Sequence, residues 1–130
     1  MKRRTITAAG APKALGAYSH AVAAGALVFT AGQIPLDPAT GKLVGGDIRA
    51  QARRAIQNVL AVLAADGLTA ADVVKTTVFL TDLAQGSAVN EVYAEFFSGP
   101  GEAPARSTVG VAALPAGAGI EIEAIAVRSR

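Results

Sequence analysis

Apolar positions in this chain recur with two different periods, and the places where the period changes mark out its elements. Residues 73–80, VVKTTVFL, alternate and are β-branched, which predicts a strand buried on at least one face. The stretch 104–127 alternates in the same way and predicts two closing strands, joined by a loop over 115–119 and entered through Gly99, Pro100 and Gly101. Ile48, Ala52, Ala55, Ile56, Val59, Leu60 and Leu63 instead repeat at helical spacing, behind Asp47 as N-cap and ahead of Gly67 as the stop. Arg49, Arg53, Arg54 and Gln57 fall on the other side of that helix and read as a solvated surface. A second helix is predicted over 87–97, with Val89, Val92, Tyr93, Phe96 and Phe97 as its core stripe and Glu91 and Glu95 facing away.

Shorter signals fill the rest. Residues 5–7 read as an edge strand and 21–31 as a hairpin turning at Ala24-Gly25. Residues 32–47 hold two prolines and four glycines and read as a loop or loose ribbon, while Thr69 and Asp72 cap a turn. Strand, strand, strand, helix, strand, helix, strand, strand is an α+β order, with two helices on one face of a mixed sheet. The opposite face then needs a cover, and symmetric association of copies supplies one.

Strand alternation places Ile120, Ile122, Ala124 and Ala126 against the helices, and Glu121, Glu123, Ile125 and Val127 away from them. Arg106, Thr108 and Gly110 share one side of the preceding strand. A charge inside a strand is costly unless paired, so Arg106 and Glu121 are expected to face each other, either as a structural ion pair or around a charged ligand. Lys75 also lies in a strand. No second cation or phosphate-binding loop supports a Schiff-base role for it, and it reads as structural.

Composition narrows the classes. A length of 130 residues implies one domain. Hydrophobic residues make up 52% but aromatics only 5%, so the core is built from small aliphatic layers. Charged residues, at 17%, fall below the roughly 25% usual for globular domains, again favouring association. No cysteine is present, which excludes disulfides and thiolate chemistry and suits a reducing cytoplasm. One histidine, His20, and no carboxylate cluster of suitable spacing argue against a metal site. Net charge is only +2, and part of it sits on Lys2, Arg3, Arg4, Arg128 and Arg130, at ends expected to fray. Without a basic stripe or stacking aromatics, nucleic acid is a poor fit. The apolar stretch 21–31 is too short to span a bilayer, and Lys13 and His20 interrupt any signal-peptide core.

PARSTVGVAALPAGAGIEIEAIAV over 104–127, with GAYSHAV at 16–22, AGQIPLDPATG at 31–41, KTTVFLTDL at 75–83 and NEVYAEFF at 90–97, resembles the YjgF/YER057c/UK114 (RidA) family across nearly the whole chain. The resemblance implies a chorismate-mutase-like fold, assembled as a homotrimer whose sheets form a central barrel, with ligand clefts between neighbouring subunits. It implies cofactor-independent deamination of 2-imino acids, such as those from 2-aminoacrylate, to 2-oxo acids and ammonia. Arg106 would grip the substrate carboxylate bidentately, and Glu121 would activate water and protonate the leaving nitrogen. Tyr18 would line the cleft, Thr108 and Gly32 would contribute backbone, and Ser107 and Asn90 are further binding candidates.

The chain departs from the family pattern at three points. Thr108 stands where many members carry cysteine, Ala17 where proline precedes the tyrosine, and His20 where glutamine is frequent. As the only imidazole, His20 invites a general-base reading, but a hydrogen-bonding role in the loop fits better. Relatives described as ligand sensors, ribonucleases or translation inhibitors keep two alternatives open: a non-catalytic ligand-binding or regulatory protein, and an RNA-directed one.

Overall fold

A computed structural model describes residues 2–98 and 102–129, so the predicted passage through Gly99, Pro100 and Gly101 lies outside the described residues, as does Arg130. The elements are β1 (Arg3–Ile6), β2 (Ala21–Ala24), β3 (Leu27–Thr30), α1 (Ile48–Ala64), β4 (Val73–Leu80), α2 (Gly86–Phe96), β5 (Ala105–Gly110) and β6 (Ile120–Val127). They form one six-stranded sheet in the order β1-β2-β3-β6-β4-β5. Only the β4–β5 pair is parallel. The α+β prediction holds. Among the described residues no helix is long and apolar enough to cross a membrane.

The strand order follows from the connections. A helix separates β4 from β5, and such a crossover allows the two to pair in parallel. β6 then returns on the other side of β4, between it and β3. The two closing strands are therefore not neighbours.

Asp47 caps α1, its carboxylate accepting from the Ala50 N–H at 3.0 Å. The buried stripe of α1 runs through Ile48, Ala52, Ala55, Ile56, Val59, Val62 and Leu63. It packs with Val89, Val92, Tyr93 and Phe97 over Val28, Val78, Leu80, Ile120, Ile122, Ala124 and Ala126. The predicted helix-facing side of residues 120–127 is thus buried throughout. Small side chains in the sheet let the helices lie close, which is how a core with few aromatics fills its volume.

Four expectations need correction. The hairpin turns one residue later than predicted, through Gly25 at φ +61° and Ala26, because Ala24 already pairs with Leu27. The arginines of α1 are not simply solvated, since Arg49 pairs with Glu91 at 3.0 Å and Arg53 with Glu95 at 2.9 Å, linking the two helices. The chain ends do not fray at Arg4 and Arg128, which both pair with the Asp66 carboxylate. That carboxyl is held below its usual range mainly by its hydrogen bonds to Arg4. Finally, Arg106 and Glu121 occupy strands separated by β4.

The sheet face away from the helices carries Leu27, Phe29, Phe79, Val109, Ile125 and Val127, by register. Leu27, Phe29 and Val109 are 37–41% exposed on it. β5 is an edge strand exposed along its whole length.

Candidate functional site

The predicted site residues gather at two places. Arg106 is paired in register with Thr76, whose side chain is fully buried under the helices, so Arg106 projects to the helical side at the sheet edge. Glu121 is in register with Phe79, on the opposite face. Within one chain the guanidinium and the carboxylate therefore do not face each other. The reason is topological: alternation fixes the two sides of a strand, but which sides of two strands coincide depends on register through the strand between them.

Around Arg106 the structure builds a cradle. Its Nη1 donates to Asn90 Oδ1 at 2.8 Å, and its guanidinium carbon lies 4.6 Å from the centre of the Tyr93 ring. Asn90 and Tyr93 are three residues apart on α2 and so share a face. Tyr93 is fixed in turn by a 2.7 Å hydrogen bond with Thr76 and by a ring contact with Phe97 at 4.7 Å. Burial pushes the Tyr93 phenol above its usual range, against the Thr76 bond and the Arg106 charge. Among the described residues Arg106 has no carboxylate partner, and Asn90 is its one side-chain acceptor. A depression of about 320 Å³ adjoins it, lined also by Ala94, Ala103 and Pro104. The sequence pattern assigns Tyr93 to the core alone; the i, i+3 spacing from Asn90 is the signal that marks its second role.

Glu121 sits in a cleft of about 190 Å³, walled by Tyr18, Gly32 and Gln33 with Lys13, Ile34 and Leu36. Gly32 is placed by its neighbour: Gln33 and Ile122 exchange backbone hydrogen bonds of 2.8 and 3.0 Å, which lays residue 32 along β6. A Cβ built on Gly32 would lie 2.8 Å from Glu121 Cδ and 3.1 Å from Cγ, so any larger residue there would push the carboxylate from its present position. Burial raises the Glu121 carboxyl above its usual range, and the negative charge of Glu123 adds to the effect. Of the two opposing influences weighed from sequence, burial operates within the chain.

Tyr18 is 49% exposed, and its hydroxyl oxygen accepts from the Leu15 N–H at 3.0 Å, which folds the loop back on itself. His20 is buried: Nδ1 accepts from the Ala8 N–H at 2.9 Å and Nε2 donates to the Pro12 carbonyl at 2.8 Å. Both ring nitrogens are occupied, so His20 staples the loop and takes no part as a base. Asn58, wholly buried on α1, donates to the carbonyls of Ile34 and Leu36 at 3.1 and 2.9 Å and fixes the other wall of the cleft. Sequence reasoning passes over Asn58, whose only signal is a polar residue on a buried helical stripe.

Thr108 lies on the side of β5 shared with Arg106, while Ser107 points to the opposite face and accepts from Lys75 Nζ at 2.8 Å. Lys75 is thus engaged structurally. Asn90 holds the arginine rather than local backbone. Among the described residues no three acidic or histidine side chains come together where they could hold a metal ion.

A family model described as Endoribonuclease L-PSP matches residues 8–128. The chain is 54% identical over 129 residues to protein DfrA of Myxococcus xanthus, covering 98% of this chain and 97% of that one. It is 50% identical over 126 residues to the 2-iminobutanoate/2-iminopropanoate deaminase of Salmonella typhimurium, covering 96% and 98%. Its fold is similar to the crystal structure of E. coli TdcF with bound serine, at TM-score 0.90 and 45% identity, covering 97% and 99%.

Proposed function

The chain belongs to the Endoribonuclease L-PSP family, the YjgF/RidA proteins, and from that premise we propose that it hydrolyses 2-imino acids and their enamine tautomers to 2-oxo acids and ammonia. One observation carries this reading: a half-buried carboxyl, Glu121, sits in a cleft directly against Gly32, in space that a Cβ there would occupy. A general base needs a raised pKa and access to a small substrate, and both are found at this position. The name of the Salmonella relative supports the same chemistry.

In the proposed reaction Arg106 grips the substrate carboxylate with the guanidinium edge that Asn90 and Tyr93 leave free, and so orients the adjacent C=N carbon. Glu121 takes a proton from water as the new C–O bond forms at the carbon of the N-protonated imine, and the electron pair of the C=N bond settles on nitrogen. The tetrahedral intermediate then collapses. Glu121 returns its proton to nitrogen, then takes the hydroxyl proton as the C–N bond breaks; the 2-oxo acid and ammonia depart, and the carboxyl releases that proton to solvent. Tyr18 and the backbone of Gly32 and Thr108 enclose the substrate, with Ser107 and Asn90 as further binding groups. No cofactor enters any step.

Since the two key residues face opposite ways in one chain, the working site calls for a second copy. We infer a closed homotrimer packed through the open sheet face and the β5 edge, with Arg106 from one subunit meeting Glu121 of another at each seam. The exposed Leu27, Phe29 and Val109 support that face as the contact.

The test is to generate 2-iminopropanoate or 2-iminobutanoate in situ and follow its disappearance. Catalysed loss is expected, and a rate equal to buffer would reject the enzyme reading. A non-catalytic ligand-binding role is the alternative, favoured by the serine bound to TdcF. It predicts Arg106-dependent binding of a 2-oxo acid with no turnover. An RNA-directed role fits less well, because Arg49 and Arg53 are already paired with glutamates.

Gly32→Ala probes the carboxylate's seat. The new methyl must displace Glu121, and a shift of about 1 Å in a reacting group costs about a hundredfold in rate. Stability should change by less than about 1 kcal/mol, as the substitution also restricts the unfolded chain. Equal rates in both proteins would remove Glu121 from the chemistry.

A further inference from the structure

The cleft holding Glu121 continues past the carboxylate. Pro12, Lys13, Leu15 and Leu36 are shared with a second depression of about 320 Å³, whose far side is formed by residues 38–41 and carries no charged side chain. Lys13 therefore stands at the junction of two adjoining compartments. Among the described residues it is the only cationic side chain lining either of them. Among the described residues it forms no ion pair.

The backbone at this junction is anchored on both sides. Pro12 is buried, and its carbonyl accepts from the His20 ring at 2.8 Å; Leu36 opposite is pinned through its carbonyl by Asn58 at 2.9 Å. Freedom is left mainly to the lysine's own stem, which can carry the ammonium a short way along the groove. Leu15, 71% exposed, offers an apolar flank beside it. Lys13 is exposed, and its unpaired ammonium beside apolar side chains is a receptor for one anionic group.

We propose that the second compartment receives the substrate's side chain, and that Lys13 selects 2-imino acids carrying a second, distal carboxylate. This rests on the deaminase reading above and adds the substrate class to it. The carboxylate next to the imine belongs to Arg106. One or two methylenes beyond the imine carbon, a second carboxylate would reach the junction, whereas the methyl or ethyl group of a monocarboxylic substrate leaves Lys13 unused.

The experiment compares kcat/KM for 2-iminoglutarate with that for 2-iminopropanoate, both made in situ by an amino-acid oxidase, in the native chain and in Lys13→Met. Methionine keeps the stem and removes the charge. The ratio of the two values is expected to fall about tenfold in the variant, the size of one charge-assisted contact. The loss should appear in KM, and the native ratio should decline with added salt. An unchanged ratio, or native turnover of the monocarboxylic substrate alone, would overturn the inference and leave the deaminase reading standing. Failure of the native protein on both substrates would overturn the two together.

Discussion

Arg106→Ala is expected to lower kcat/KM for 2-iminobutanoate by about a thousandfold, the combined loss of a bidentate carboxylate contact and of the orientation it imposes. The fold should be nearly untouched. Arg106 is exposed on an edge strand, and its contacts with Asn90 and the Tyr93 ring are worth about 1 kcal/mol together at such a site. Arg106→Lys keeps the charge but not the planar fork, nor the fit to the ring below it, and should recover only a small part of the rate. If alanine and arginine at this position turned over substrate equally, the anchor would lie elsewhere and the proposed chemistry would lose its substrate.

The same variant reads out how the site is assembled. Arg106→Ala and Glu121→Gln are each expected to be inactive alone. If every site takes its arginine from one subunit and its glutamate from the next, refolding the two variants together in equal amounts should restore about one quarter of the sites, because that fraction of ordered neighbour pairs has both groups intact. If both groups came from a single chain, mixing would restore none. The register argues for the shared site, since Thr76 and Phe79, adjacent in β4 to Arg106 and Glu121 respectively, lie on its two different faces. Sedimentation of the refolded mixture gives the subunit number independently.

The faces of the strands were legible in the sequence, and their order was not. Residues 120–127 alternate large apolar or alanine with glutamate and apolar residues, and each side of β6 went where that pattern sends it. Nothing in a local pattern says which strand lies beside it. The helix between β4 and β5 did hold that information, because a crossover of that length favours parallel pairing and pushes the next strand to the far side of β4. Thus Arg106 and Glu121, expected to face each other, lie on opposite faces of the sheet within one chain. The cleft walls were harder to see. Lys13 and Leu15 sit in a loop with no period, and they reach the site only because a buried histidine and a tyrosine hydroxyl bend that loop back. Asn58, which sequence reasoning passes over, is the peg that holds the opposite wall.

Glu121→Gln should separate activity from stability. Removing the base is expected to reduce kcat by about 10²–10⁴-fold, the range general-base catalysis supplies. Stability should hold or rise at neutral pH, and the sign follows from the direction of the shift. Burial, then Glu123, raises the carboxyl's pKa in the folded chain. A group of this kind contributes its full share of stability below the unfolded pKa and loses it as pH rises through the folded one. Near neutrality the native carboxylate is ionised against that preference, and the neutral amide escapes the penalty. The melting temperature of Glu121→Gln should therefore match or exceed the native value at pH 7, with the gap closing below the ordinary glutamate range. Activity obeys the same proton in the opposite sense, because the base must be ionised: the native rate should fall on the acid side at a pH above the usual glutamate value. Glu123→Gln removes the smaller of the two causes and should move that acid limb part of the way down. A limb that stays where it was would mean that another group sets it. A lower melting temperature for Glu121→Gln at pH 7 would mean that the ionised carboxylate is favoured in the folded protein, against the direction that burial and Glu123 give it.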